Sequence, residues 1–127
     1  MKEKMGYILL ADDSEVILDI VKNSLILHNY KNILEAHDGQ EALEISKKNQ
    51  GNISLYVLDV NMPRMDGISL VKEIRAFDAN TPIVMLTTEV EKAKIEKAKE
   101  YGATGWIIKP FNSDKFIQIV KMLLENE

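Results

Sequence analysis

Leu55-Tyr56-Val57-Leu58-Asp59-Val60-Asn61-Met62-Pro63-Arg64-Met65-Asp66-Gly67 decides how the rest of the chain is read. Four apolar residues run without a break into Asp59. A short continuous apolar run bounded by turn residues reads as a strand buried on both faces. Pro63 has no backbone N–H to give to a sheet, so the strand cannot pass it. Asp66-Gly67 then makes a turn. A buried strand delivers a carboxylate to its own C-terminal tip.

The same pattern recurs on either side. Tyr7 to Ala11 is a strand that ends in Asp12-Asp13. Ser14 caps the helix that follows, with Asp13 near its positive end. Val16, Ile17, Ile20, Val21, Ser24 and Leu27 mark one side of that helix, which stops near His28-Asn29. Asn32 to Ala36 is a second strand, and Glu35 within it points to a sheet edge. Asp38-Gly39 is a turn before a helix carrying Ala42, Leu43, Ile45 and Ser46, which ends around Asn49-Gln50-Gly51. After Leu55 to Asp59, the stripe Ile68, Val71, Ile74 and Phe77 predicts a helix. Ile83 to Thr87 is the fourth strand. Glu91 to Tyr101 predicts a helix with a thin apolar side of Val90, Ala93, Ala98 and Tyr101, ended by Gly102. Gly105 to Lys109 is the fifth strand, stopped by Pro110. Ser113 caps a last helix with Phe116, Ile119, Val120 and Leu123.

Strands that alternate with helical patterns make βαβ units and a parallel sheet. Right-handed crossovers place helices on both faces, so the expected fold is α/β, doubly wound. The 127 residues fit one domain. We expect it to span 1–127 with a core of about 7–124 and no output domain attached. The formal charge of −4 argues against nucleic-acid binding, which needs a basic surface. The absence of cysteine excludes a disulfide framework and a thiol nucleophile. The apolar run Ile8 to Ala11 is too short for a signal peptide or a membrane span. The expectation is a cytoplasmic protein that binds no membrane.

In an open parallel sheet, functional groups gather beyond the carboxyl ends of the strands. The residues there are Asp12 and Asp13, Asp59, Thr87 and Lys109. The second strand ends less pointedly in His37-Asp38, and neither His28 nor His37 receives a role. Any one polar strand end is ordinary; four on one edge are a constellation. Three carboxylates in one crevice repel, and they stay ionised together if a hard divalent cation such as Mg²⁺ sits among them. Helix capping accounts for Asp13 but leaves Asp12 unpaired beside Asp59. Lys109 offers a point charge to a phosphoryl oxygen, and Thr87 a hydroxyl. A glycine-rich phosphate loop after the first strand is missing, which removes the usual nucleotide- or flavin-binding site. The constellation suits phosphoryl transfer, with Asp59 as nucleophile forming an acyl phosphate.

On these motifs the chain resembles the receiver domains of two-component response regulators. They are Asp12-Asp13, Asp59 with Met62-Pro63 and Asp66-Gly67, Thr87, and Lys109-Pro110-Phe111, in order across about Tyr7 to Leu124. The resemblance implies a flavodoxin-like sheet in the order 2-1-3-4-5 with five flanking helices. It implies that Asp59 accepts phosphate from a phosphohistidine on a sensor histidine kinase. Asp13, Asp59 and the Asn61 carbonyl would bind Mg²⁺, with Asp12 assisting. Lys109 would contact the phosphate, followed by a cis bond to Pro110. Thr87 would move toward the phosphoryl group and Trp106 would swing inward, changing the surface of the fourth helix, fifth strand and fifth helix.

The nearest subtype is the free-standing chemotaxis regulator, on the run Leu86 to Glu89 and the segment Gly105 to Phe111. Its partners would be a CheA-like kinase, a downstream target such as a flagellar motor switch protein, and a phosphatase, with the chain itself a monomer. Trp106 stands where Tyr or Phe is usual, and Thr88 where Ala is frequent, so Thr88 would slow access to the phosphoryl group. Asn61 and Glu89 match the polar pair near the attacking water, which implies a short-lived phosphorylation. The expected role is a switch that is not an enzyme beyond its own phosphorylation and dephosphorylation. The alternatives are an aspartate-nucleophile phosphohydrolase, disfavoured because Asn61 cannot serve as the general acid, and a phosphate-sink or phosphorylation-independent adaptor.

Overall fold

Strands that are apolar on both faces must be covered on both faces, and here they are. The computed structural model describes residues 6–88 and 93–125. Strands β1 (Tyr7–Ala11), β2 (Ile33–Ala36), β3 (Ile53–Asp59), β4 (Ile83–Thr87) and β5 (Gly105–Ile108) form one sheet. Its order is β2-β1-β3-β4-β5 and every pairing is parallel. Helices α1 (Glu15–Leu27), α2 (Gly39–Lys48), α3 (Gly67–Arg75), α4 (Ile95–Tyr101) and α5 (Ser113–Glu125) alternate with the strands. This is the doubly wound α/β fold expected.

Successive residues of β3 face opposite ways and so divide the core in two. Tyr56 and Leu58 join Leu70, Ile74 and Ile95 on the face of α2, α3 and α4. Leu55 and Val57 join Leu18, Leu25, Phe116 and Val120 on the face of α1 and α5. β3 begins at Ile53, two residues before the apolar run, because the backbone there still pairs with β1 (Tyr7 opposite Ile53). β2 lies at an edge, and Glu35 on it pairs with Lys22 of α1 at 2.7 Å.

The helix faces depart from expectation in three places. In α1 the buried residues are Leu18, Val21, Ser24 and Leu25, while Val16, Ile20 and Leu27 are exposed. The helix is apolar nearly all round, and period alone could not select its face. In α4, Ile95 is buried and Ala93 exposed, so Ile95 and Ala98 anchor the helix. Val90, Glu91 and the expected helix start fall outside the described residues. At α5 the cap is Asn112, whose Oδ1 accepts from the N–H of Asp114 and Lys115 at 2.7 and 3.1 Å. Ser113 is instead the first helical residue, its hydroxyl 3.1 Å from that of Ser24. Ser14 caps α1 as expected, accepting from Ile17 N–H. The two Asp-Gly turns are helix starts, with Asp38 and Asp66 accepting from the N–H of Glu41 and Ser69.

Gly67 is where the β3–α3 loop closes on the strand. Its N–H donates to the Val60 carbonyl at 2.8 Å. A Cβ there would stand 2.0 Å from the carbonyl oxygen of Asp59. Alanine ordinarily stabilises a helix start over glycine by ~0.5–1 kcal/mol, but backbone overlap costs more, about 1–3 kcal/mol. Gly67→Ala should therefore lower the urea-unfolding free energy; an unchanged midpoint would refute the close approach.

Candidate functional site

Sheet register brings the charged strand ends together. Ala11 pairs with Leu58, so the next residues, Asp12 and Asp59, leave adjacent strands side by side. Thr87 pairs with Ile108, which sets Lys109 just beyond β5 on the same edge. The ammonium of Lys109 donates to Asp59 Oδ1 at 3.0 Å and to Asp12 Oδ2 at 3.1 Å. Asp12 and Asp59 are buried, whereas Asp13 is exposed at the rim. One carboxylate oxygen from each of Asp12, Asp13 and Asp59 lies within 4.8 Å of the others.

One ammonium does not balance three carboxylates. Burial pushes the Asp59 carboxyl up from 3.8 to about 6, and the charge of Asp12 adds to the rise. Lys109 opposes it. Burial works against the Lys109 ammonium in turn, but Asp59 and Asp12 outweigh that and its pKa is raised. An oxygen-only donor set with surplus negative charge is what a hard divalent cation satisfies. The cluster of Asp12, Asp13 and Asp59 fits Mg²⁺ on those grounds.

Capping divides differently from expectation. Asp12 Oδ1 accepts from Ser14 N–H at 2.9 Å, so Asp12 is tied to Lys109 and to its own loop rather than left unpaired. Asp13 is the more open carboxylate. Thr87 is buried, with its hydroxyl donating to the Thr88 carbonyl at 3.3 Å, and its own carbonyl accepts from Lys109 N–H at 2.7 Å. Thr88 beside it is half-buried. Asn61 is exposed, and its Oδ1 accepts from Lys94 Nζ at 3.2 Å. The Lys109–Pro110 peptide is cis, as the resemblance implies. Trp106 is 38% exposed, and the ammonium of Lys99 sits 4.6 Å from its ring centroid. The ring here points outward, held under a cation. Glu89 lies outside the described residues.

Three participants were not found in the sequence. Lys94 and Lys99 belong to a run of alternating charges and small residues in which no single lysine stands out. His37, set aside as off the edge, sits at the end of β2 and bridges two helix starts. Its Nε2 is 2.8 Å from Glu15, and its backbone N–H donates to Glu41 at 2.7 Å.

A family profile described as "Response regulator receiver domain" matches residues 8–121. The chain belongs to that family. Receiver domains of the chemotaxis type are among its relatives. A "Chemotaxis protein CheY homolog" of Campylobacter jejuni is 37% identical over 121 residues, 94% of this chain and 89% of the relative. "Chemotaxis protein CheY1" of Helicobacter pylori is 38% identical over 120 residues, 93% of each. Among solved structures, Vibrio cholerae CheY4 has a TM-score of 0.85 at 37% identity, covering 95% of this chain and 100% of that one. The CheX-CheY-BeF3-Mg+2 complex from Borrelia burgdorferi has a TM-score of 0.85 at 29% identity, covering 91% of this chain and 87% of that one. This receiver domain is therefore of the CheY type. No helix among its described residues is long and apolar enough to cross a membrane.

The raised pKa of Asp59 has a measurable sign. The folded receiver holds that proton more tightly than the unfolded chain, so Asp59 contributes stability below pH ~4 that is lost as pH rises through about 6. Asp59→Asn removes the buried charge. Without divalent metal, the variant should gain on the parent from pH 4 to 7.5, reaching on the order of 1–3 kcal/mol, read from urea unfolding. A difference that stays flat with pH would mean that the charge is already compensated.

Proposed function

We propose that this receiver domain is a phosphorylation-activated switch of a two-component system, acting in chemotaxis or motility control. Asp59 accepts the phosphoryl group from a phosphohistidine on a CheA-like sensor histidine kinase. The observation that carries the reading is the contact of Lys109 with Asp59 at 3.0 Å, inside a cluster of three carboxylates at one strand edge. Asp13, Asp59 and the Asn61 carbonyl would hold Mg²⁺, with Asp12 assisting. The ion, when bound, neutralises charge between carboxylates and phosphate. Lys109 holds a phosphoryl oxygen with a point charge that Asp12 keeps aimed. The hydroxyl of Thr87 turns from the Thr88 carbonyl to a phosphoryl oxygen. Thr88 narrows access, and the side chain of Asn61 serves the attacking water, so the phosphoryl group is short-lived.

Activation moves Trp106 from its outward position and alters the surface of α4, β5 and α5. The partner reading that surface is a downstream target such as a flagellar motor switch protein. A CheX-like phosphatase is a further partner, supported by the CheX-CheY complex among similar structures. The domain works in the cytoplasm as a monomer and turns over no substrate of its own beyond its phosphoryl group. A phosphohydrolase reading gains nothing from Asn61, which has no carboxyl proton to give.

Incubation with Mg²⁺ and acetyl phosphate should add one phosphoryl group by intact mass, absent without metal and absent in Asp59→Asn. An adduct that persists in Asp59→Asn would move the acceptor elsewhere. Trp106 is the only tryptophan, so its emission reports the switch without a label. The spectrum should change on phosphorylation in the parent and stay constant in Asp59→Asn; an unaltered spectrum on a confirmed adduct would remove Trp106 from the switch.

A further inference from the structure

Lys94 opens α4 from its N-cap position, and its side chain makes no capping hydrogen bond there. A cation at the positive end of a helix is electrostatically disfavoured, so helix stability does not account for the residue. Its ammonium instead crosses to the β3–α3 loop and donates to Asn61 Oδ1 at 3.2 Å. That bond ties the first turn of α4 to a side chain two residues beyond Asp59. It brings a second ammonium to the edge where Lys109 already stands, on a residue outside the carboxylate cluster.

We propose that Lys94 is a positioning residue that prolongs the life of the phosphoryl group by engaging the Asn61 side-chain oxygen. The inference rests on the reading of Asp59 as phosphoacceptor. Loss of that group is a hydrolysis. A water oxygen forms a bond to phosphorus while the bond from phosphorus to the Asp59 carboxylate oxygen breaks. The carboxylate leaves with the electron pair, one water proton stays on the inorganic phosphate, and the other goes to solvent. For the water lone pair to face phosphorus, one of its O–H groups must point at an acceptor. The Asn61 amide offers a single acceptor oxygen beside two N–H donors. A charge-assisted bond from an ammonium is stronger than one from water, so Lys94 competes for that oxygen and leaves it a poorer partner for the attacking water. The same bond fixes the Asn61 rotamer, which keeps the side chain from following a water into line.

The test follows decay of the adduct. The parent, Lys94→Met, Lys94→Arg, Asn61→Ala and the Asn61→Ala/Lys94→Met pair are loaded with acetyl phosphate and Mg²⁺. They are then freed of donor by rapid desalting and followed by intact mass. Lys94→Met should lose its phosphoryl group roughly three- to tenfold faster than the parent. Lys94→Arg, which can still donate, should stay within roughly twofold. In the Asn61→Ala background Lys94→Met should change nothing, since the oxygen it acts through is gone. Lys94 is exposed, so these variants should keep the parent's unfolding midpoint. Parent-like or slower decay in Lys94→Met overturns the inference, as does an equal acceleration in the Asn61→Ala background. A parent that takes up no phosphoryl group overturns the functional reading itself, a result distinct from an adduct whose lifetime ignores Lys94.

Discussion

Lys109 is held between two buried carboxylates, and the site depends on that contact. A carboxylate at the tip of a central strand is costly to bury, and burial with the neighbouring Asp12 pushes Asp59 toward its protonated form. Lys109 offsets part of the cost, at 3.0 Å from Asp59 and 3.1 Å from Asp12. The balance is left incomplete, since Asp12 and Asp59 face one ammonium between them and Asp13 stands at the rim. Much of the local architecture serves to keep that imbalance in place. The β1–α1 loop is pinned by Asp12 to the Ser14 N–H, and the β3–α3 loop is pulled against the strand where only glycine fits, at Gly67.

The opposite side is more lightly held. α4 is seven residues long and buries Ile95 and Ala98. Its C-terminal end is fixed by Gly102 in the left-handed conformation, with the guanidinium of Arg75 donating to the Gly102 carbonyl at 3.0 and 2.9 Å. Its beginning is tied across the site by the Lys94–Asn61 bond. Next to it, Trp106 is kept outward by Lys99. A cation–π contact at an exposed position contributes ~0.5–1 kcal/mol, so the outward ring is favoured only a few-fold by that contact. Small charge changes at the phosphoacceptor are enough to compete with energies of that size, whereas they could not reorganise the packed strands.

The strand ends were legible because each depends on a local transition. A continuous apolar run that meets Asp, Thr or Lys must place that residue at a sheet edge, and the alternation of strands and helices sets all those edges on one side. The face of α1 was not legible. Val16, Ile17, Leu18, Ile20, Val21, Leu25, Ile26 and Leu27 surround the helix, and only docking on the sheet chose Leu18, Val21 and Leu25. Asn112 and Ser113 are both good caps, and the folded chain places the Asn112 side chain, not that of Ser113, on the N–H groups of Asp114 and Lys115. Lys94, Lys99 and His37 were missed because their partners Asn61, Trp106 and Glu15 lie on other elements or loops, and no periodicity links them.

By itself the sequence determined an α/β parallel sheet, the family, and the gathering of Asp12, Asp13, Asp59, Thr87 and Lys109 at one edge. These follow from hydrophobic pattern and chain connectivity, which are local. Only the tertiary structure decided that Asp12 shares Lys109 with Asp59, that Asp13 is the open carboxylate, that Asn61 is engaged by Lys94, and that Trp106 rests outside. Coulomb energy and desolvation depend on distance and burial between residues far apart in the chain. Those distances exist only once the strands are in register.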